Sequence, residues 1–167
     1  MHRAKVAAVT FAVVGALSLA SNALAHGDSR AKVQKNMDYA KAEEKAFGRA
    51  GDPAKVTRTV RVGMDDRMHF TPGDLVVKQG ETIRFEVRNN GKILHEMVIG
   101  TMKELKDHAE LMKKFPGMEH DEAYMAHVAP GKREQIAWQF TKAGEFHYAC
   151  LIPGHLEAGM IAKITVR

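Results

Sequence analysis

The sequence predicts an all-β sandwich that is interrupted by one helical insert and preceded by a polar arm. Three observations predict it. About seven short runs rich in Val, Thr and Ile are separated by turn residues, one segment has helical spacing behind a capping box, and 167 residues allow about one domain. A hydrophobic content of 45% with 27% charged residues is ordinary for a folded domain, so the composition excludes a wholly disordered chain.

Residues 1–25 have the features of a cleavable export signal. They begin with a few basic residues, continue with an apolar run over residues 6–19, and end on Ala23-Leu24-Ala25, which has the pattern of a cleavage site. The apolar run is short for a transmembrane helix, so an uncleaved anchor is the weaker alternative. We therefore expect a mature chain that starts at His26, has no membrane span and lies in a bacterial periplasm.

Residues 26–55 predict a flexible polar arm that is rich in Lys, Ala and Glu. One helix is expected around residues 31–47, because Gly48, Gly51 and Pro53 follow as helix-breaking residues. Its apolar stripe is weak.

From residue 56 the pattern becomes that of β-strands, and residues 56–167 predict the folded domain. Ile83, Phe85 and Val87 alternate with charged residues, which indicates a strand with one buried face. Short strands are predicted at residues 56–62, 75–77, 82–87, 94–99, 135–140, 145–150 and 160–166. Many short strands joined by turns are typical of a sandwich or barrel.

Residues 101–129 interrupt the strands as an insert. Thr101 and Glu104 form a predicted capping box, and Met102, Leu105 and Ala109 recur at helical spacing. The sequence thus predicts a helix over 102–115 that stops near Pro116. We expect its methionines to pack against the sandwich.

The single cysteine and the modest net charge argue against several kinds of site and partner. One cysteine excludes an intrachain disulfide framework, a Cys₄ zinc site and an iron–sulfur cluster held by this chain alone. The formal net charge is +5, and no dense basic block interleaved with aromatic residues occurs, which disfavours a nucleic-acid partner.

The loop from residue 150 to residue 160 carries three metal-binding side chains. Cys150, His155 and Met160 supply a thiolate, an imidazole and a thioether within eleven residues. Thiolate and thioether are soft ligands, which favour copper over hard cations. A trigonal His₂Cys site with an axial Met needs a second histidine, and His95, at the start of a predicted strand, is the best candidate.

The Cys-x₄-His-x₄-Met loop and several flanking segments resemble those of the cupredoxins, the plastocyanin and azurin family of type 1 copper proteins. The resemblance extends over about residues 56–166. The flanking segments are Phe70-Thr71-Pro72, Gly80-Glu81-Thr82-Ile83-Arg84-Phe85, Leu94-His95-Glu96 and Gly144-Glu145-Phe146-His147-Tyr148-Ala149-Cys150.

The resemblance implies a Greek-key β-sandwich with one type 1 copper that cycles between Cu(II) and Cu(I). It also implies that His95, Cys150 and His155 are the equatorial ligands and that Met160 is the axial one. Glu96 departs from the family, which usually has Asn after the first histidine ligand to tie the two ligand loops together. The long Met- and His-containing insert is also unlike plastocyanin, and with the His26-Gly27 start it is similar to periplasmic cupredoxins associated with copper tolerance.

We accordingly expect a monomeric periplasmic copper-tolerance protein, not an enzyme, that works with a redox or copper-handling partner. A dedicated electron shuttle is the main alternative, because both functions use the same four ligands. A thiol enzyme that uses Cys150 as its nucleophile is a weaker alternative, since Met160 has no role in such a mechanism. Zinc could occupy the same His₂Cys set.

The sequence also allows additional copper sites beside the main one. Thioethers bind Cu(I), and the most suggestive residues of the insert are Met118, His120, Met125 and His127. The simpler interpretation is that methionines fill gaps in the core. His26 would add an α-amine to its imidazole if cleavage occurs before it. His147 is expected to face away from Cys150 because its neighbours on the strand alternate. A looser set completes the group: Met64, Met68, His69, Met97, Met102, His108 and Met112.

Overall fold

The computed structural model describes residues 37–116 and 120–167, and it confirms the predicted all-β sandwich. The described residues form ten strands in two five-stranded sheets, with one α-helix inserted between strands. The strands are β1 (Arg49–Ala50), β2 (Arg58–Asp65), β3 (His69–Thr71), β4 (Leu75–Val77), β5 (Thr82–Asn89), β6 (His95–Gly100), β7 (Met125–Val128), β8 (Arg133–Gln139), β9 (Gly144–Ala149) and β10 (Ile161–Val166), and the helix is α1 (Met102–Lys114).

The two sheets have the strand orders β1-β8-β5-β2-β3 and β4-β10-β9-β6-β7. Strand β5 pairs in parallel with β2 and antiparallel with β8, while β9 lies between β10 and β6. Consecutive strands often lie in different sheets, so the chain crosses repeatedly between the layers, as in a Greek-key sandwich.

The core lies between the inner faces of the two sheets. Phe85, Ile136 and Trp138 of the first sheet and Tyr148 and Ile164 of the second are essentially inaccessible to solvent. Phe85 and Ile164 alternate along their strands with more exposed residues, as the two-residue period of a strand requires, while Ala137 and Ala149 beside the other core residues are buried as well. Burial of such a side chain contributes about 1.5–3 kcal/mol. The resulting framework holds the loops at the end of the sandwich in fixed positions.

Helix α1 begins at the predicted capping box. Thr101 Oγ1 accepts a hydrogen bond from the N–H of Glu104 at 3.3 Å, and Glu104 Oε2 accepts one from the N–H of Thr101 at 3.0 Å. The helix ends at residue 114, one residue before the predicted end. Its buried residues are Leu105, Ala109 and Met112, so the apolar stripe packs against the second sheet as expected.

Two features differ from the sequence-based expectation. Strand β7 lies inside the predicted insert of residues 101–129 and pairs antiparallel with β6. Met125 at its start is 1% exposed, so it is a core residue, and the pairing with β6 was not apparent from so short a run. Strands β1 and β3, of two and three residues, were also missed for that reason.

The helix predicted around residues 31–47 is not formed over residues 37–47, where only a 3₁₀ turn at Tyr39–Lys41 occurs. Instead, Phe47 is buried and stacks on Trp138 with ring centroids 5.1 Å apart. A tertiary contact thus replaced a weak local helix preference. The predicted signal peptide and residues 26–36 lie outside the described residues. Within residues 37–116 and 120–167, no helix has the length and apolar character needed to span a bilayer.

Candidate metal centre

The turn that precedes β6 holds His95 in place. The buried Asn89 side chain donates from Nδ2 to the carbonyls of Ile93 at 2.7 Å and Val128 at 2.8 Å. Its Oδ1 accepts a hydrogen bond from the N–H of Gly91 at 2.8 Å. Because the backbone groups of this turn have internal partners, its shape does not depend on a ligand. His95 is fully buried at its end.

Asp66 anchors the ring of His95. The Nε2 atom of His95 lies 3.1 Å from Oδ1 of Asp66, whose two oxygens also accept from the N–H of Lys92 at 3.0 and 2.8 Å. The Lys92 N–H first, and His95 next, lower the pKa of Asp66. A Cβ at Gly91 would lie 1.9 Å from Oδ1 of Asp66, so a larger residue there would displace the carboxylate from its present contacts. With Nε2–H donating to the carboxylate, Nδ1 of His95 is left with a free lone pair.

Cys150 follows the last residue of β9 and is fully buried. Its Sγ accepts a hydrogen bond from the N–H of Glu96 at 3.4 Å and lies 3.1 Å from Nδ1 of His155. Its N–H donates to the carbonyl of Met160 at 3.1 Å, which closes the base of the loop. The sulfur is therefore held by both strands that meet at this end of the second sheet.

The loop between Cys150 and Met160 is folded by its own hydrogen bonds. The N–H of His155 donates to the carbonyl of Ile152 at 2.9 Å, and the N–H of Met160 donates to the carbonyl of His155 at 3.0 Å. Gly154 and Gly159 adopt φ angles of 90° and 93°, where other residues are strained. These two glycines thus permit the tight path of the loop.

The donor atoms of His95, Cys150 and His155 converge to within 4.8 Å of one another. The centroids of the two imidazole rings are 5.0 Å apart. His155 is 9% exposed, whereas His95 and Cys150 are completely inaccessible. Met160 is also completely buried, at the end of the same loop. In the part of the chain that the structure describes, no other group of three His, Cys, Asp or Glu donors is arranged in this way.

Glu96 connects the two segments that supply these donors. Its Oε1 accepts a hydrogen bond from the N–H of Leu151 at 2.8 Å, next to Cys150. Its Oε2 lies 2.9 Å from Nε2 of His127 on β7. The carboxylate is 1% exposed. The tie between the ligand segments that the family makes with Asn is therefore made here by Glu, in a buried position beside the cluster.

Burial dominates the acid–base behaviour of the cluster. Burial raises the pKa of Cys150 to about 12, and the nearby carboxylate of Glu96 acts in the same direction. Burial lowers the pKa of His155, and the adjacent His95 ring adds to that effect. The metal-free site therefore holds a protonated thiol and a neutral His155 ring at neutral pH.

The residues present fit a copper ion. Nδ1 of His95 is buried and has no hydrogen-bond partner among the described residues, which is unusual for a polar atom and normal for a metal ligand. Two imidazole nitrogens and one sulfur form a borderline-to-soft donor set, which suits copper. The Asp66 contact fixes the ring of His95 from behind, as supporting carboxylates commonly do for metal-bound histidine.

Residues 54–167 match the profile of a family described as copper binding proteins, plastocyanin/azurin family. The match covers more than half of the chain and includes every residue of the cluster. The chain belongs to the plastocyanin/azurin family of copper-binding proteins. The predicted cupredoxin fold and the predicted copper cofactor are thereby confirmed.

Curated relatives of this cupredoxin carry the name copper-resistant cuproprotein CopI. The protein of Rubrivivax gelatinosus is 53% identical over 121 residues, which span 72% of this chain and 73% of the relative. The Pseudomonas aeruginosa protein is 34% identical over 75% of this chain and 85% of its own length. The Vibrio cholerae protein is 37% identical over 68% of each chain.

Solved structures agree with the cupredoxin fold. A dithionite-reduced auracyanin from Roseiflexus castenholzii has a TM-score of 0.58 at 19% identity and covers 67% of this chain and 98% of its own. Auracyanin A of Chloroflexus aurantiacus, described as a "blue" copper protein, has a TM-score of 0.55 at 18% identity, with coverages of 65% and 98%. At this identity the likeness concerns the fold alone.

The structure brings together only some of the metal-binding residues that the sequence suggested for this cupredoxin. His95, Cys150 and His155 meet as predicted, and Met160 closes their loop, while the assignment of the four as ligands stays a prediction. Met64 and Met97 of the looser set are core residues, and so is Met125 of the insert. His147 is half-buried between buried neighbours on β9, as its alternation predicted. Met118 and His26 lie outside the described residues.

Asp66 was missed by the sequence analysis. It precedes His95 by 29 residues, in the tight turn between β2 and β3, where it lies between Asp65 at the end of β2 and Arg67. Nothing in that spacing indicates a contact with a distant histidine. The parallel pairing of β2 with β5 is what brings the turn to the same end of the sandwich as the ligand loops.

Proposed function

We propose that this protein is an exported copper-resistance protein that binds one copper ion in a type 1 site and cycles it between Cu(II) and Cu(I). The names of the relatives and the family membership support the role, and the basic–apolar–AxA pattern of residues 1–25 supports a periplasmic location. In the periplasm, such a protein would bind copper that is otherwise free to damage other proteins.

The observation that carries the proposal is the converged cluster of His95, Cys150 and His155. We assign these three as the equatorial ligands and the thioether of Met160 as the axial one. The bound copper would supply one-electron redox chemistry. The protein's contribution is to keep the donors in nearly the same positions in both oxidation states, because strands and internally bonded turns hold them.

The buried position of Cys150 supports a binding function in preference to thiol catalysis. A catalytic thiol has to be a thiolate that a substrate can reach. Cys150 is inaccessible, and burial raises its pKa to about 12. Copper would bind Cys150 as a thiolate after loss of its proton, which would give this buried thiol a function without substrate access.

An electron-transfer shuttle is the second candidate, and one surface feature favours it. Ile93 and Leu94 are each 43% exposed and immediately precede His95. Exposed apolar side chains beside a redox site provide a surface on which another protein can dock. A protein that delivers or receives copper could use the same surface, so the partner is either a redox or a copper-handling protein, and we expect the chain itself to be monomeric.

The proposed function is tested by adding Cu(II) to the purified mature protein while recording optical and electron spin resonance spectra and counting the bound metal. We expect an intense visible band from thiolate-to-copper charge transfer, and Cys150→Ser should remove it. A wild-type protein that stays colourless with Cu(II), or a Cys150→Ser variant that keeps the band, would contradict the site.

The biological role is tested in cells that lack the gene. Wild-type protein should restore growth on copper, whereas Cys150→Ser, expressed and exported to the same level, should not. Normal copper tolerance in the deletion strain together with a respiratory defect would favour the electron shuttle instead.

A further inference from the structure

Two histidines of the insert, neither of them part of the His95, Cys150 and His155 cluster, are stacked against each other. His108 lies on α1, and His120 lies in the segment that leads back to β7. Their ring centroids are 4.9 Å apart, and the ring planes differ by 30°. Helix α1 and the returning segment thus place two imidazoles side by side on the outer part of the second sheet.

Each ring of this pair has a buried nitrogen without a hydrogen-bond partner among the described residues. The atoms are Nε2 of His108 and Nδ1 of His120. Leaving a buried polar atom unpaired is unfavourable, and here two such atoms belong to adjacent rings. A cation that accepts the lone pairs of both rings would satisfy both nitrogens at once.

Burial disfavours a positive charge at His108, and nearby carboxylates partly offset that effect. His127 on β7 places Nε2 2.9 Å from Oε2 of Glu96 and Nδ1 4.0 Å from Oδ1 of Asp121. Burial lowers the pKa of His108, with Glu96 acting in the opposite direction and His120 and His127 reinforcing the effect. The His108 ring is therefore neutral at pH 7 and has a lone pair to donate.

We propose that His108 and His120 form a second metal site, separate from the Cys150 cluster, that binds a divalent transition-metal ion. Imidazole nitrogens are borderline donors, and among first-row divalent ions Cu(II) binds such donors most tightly. Since only the His95, Cys150 and His155 group has three converged donors among the described residues, the second site offers two imidazole donors, and solvent would have to supply the remaining ligands. The second site therefore binds Cu(II) more weakly than the first. It would add binding capacity once the first site holds copper.

The test is the number of Cu(II) ions that the full mature protein binds at saturation, measured by equilibrium dialysis and elemental analysis. The double variant His108→Ala/His120→Ala should bind one ion fewer per chain than wild type. The matched control is His69→Ala, which removes an exposed histidine on β3 and should leave the number unchanged. An unchanged number in the double variant, or an equal loss in the control, would overturn the proposal.

The visible band of the first site serves as the internal check on folding. It should keep its position and intensity in the double variant, because neither histidine contacts Cys150 in any hydrogen bond or ring stack of the described residues. The single variant His120→Asn changes a residue outside the regular secondary structure and is measured in parallel. It should also lower the number of bound ions, and full binding by this variant would equally contradict the site.

Discussion

The carboxylate of Asp66 and the imidazole of His95 form the contact that orients the buried histidine of the cluster. Oδ1 of Asp66 lies 3.1 Å from Nε2 of His95, and Nδ1 of that ring has no other partner among the described residues. A carboxylate behind a metal-bound histidine fixes its orientation and makes the ring a stronger donor. The turn between β2 and β3 thus contributes to the chemistry of a site on the other sheet.

Asp66→Asn should weaken Cu(II) binding by about tenfold while leaving the fold intact. The amide oxygen still accepts the His95 hydrogen bond, but the charge that strengthens the donor is lost. If Cu(I) affinity is unchanged, a tenfold loss for Cu(II) raises the reduction potential by about 59 mV. The matched control is Asp65→Asn, because Asp65 pairs with Arg67. Equal potentials in the two variants would contradict the role of Asp66.

Met160→Leu should keep copper bound and raise the reduction potential. The axial thioether stabilises Cu(II), and leucine fills similar space without a donor atom. Redox titration followed by the visible band measures the change, with about 59 mV expected for each tenfold loss of Cu(II) preference. A potential equal to that of the wild type would show that Met160 is not the axial ligand.

Glu96→Ala should destabilise the metal-free protein by about 1–3 kcal/mol, because the buried N–H of Leu151 loses its acceptor. Glu96→Gln keeps an oxygen at the same place and should cost less. Urea unfolding of both variants makes the comparison. Similar losses in both would mean that the hydrogen bond to Leu151 is not what Glu96 contributes.

Cys150 of the metal-free protein should react slowly with iodoacetamide at pH 8. Burial raises its pKa to about 12, so the reactive thiolate is scarce at that pH and becomes more abundant as the pH rises. We expect a rate about a thousandfold below that of the urea-unfolded chain, increasing about tenfold per pH unit while the protein stays folded. Fast labelling at pH 8 would instead favour a thiol enzyme.

Phe47→Ala should destabilise the protein by about 3–5 kcal/mol. The ring is 2% exposed and stacks on Trp138, whose Nε1–H donates to the carbonyl of Phe47 at 2.9 Å. Phe115→Ala is the control, since that ring is 56% exposed and its loss should cost less than about 0.5 kcal/mol. Urea unfolding followed by the fluorescence of the single tryptophan compares them, and equal stabilities would mean that residue 47 does not pack in solution.

The longer strands, the helix and the donors Cys150, His155 and Met160 were predictable because each follows from local spacing, whereas His95 was added because the site needs a second histidine. The alternation of Ile83, Phe85 and Val87 with polar residues predicts a strand whatever the rest of the fold is. The residues from Cys150 to Met160 lie in one loop, so their spacing can be read directly from the sequence. The arm and β7 were not predictable, because their positions depend on partners far away in the chain. The buried position of Phe47 depends on its stacking against Trp138, and that of Met125 depends on the pairing of β7 with β6.

The amino-acid order alone determined the sandwich, its inserted helix and the soft donor set near the C-terminus, since those properties depend on residues that are close in the chain. Tertiary structure decided which acidic residue supports His95, what Glu96 ties together and which histidines stack. Such contacts join residues that the chain separates by up to 55 positions. Strand pairing sets these distances, and local sequence contains no information about them.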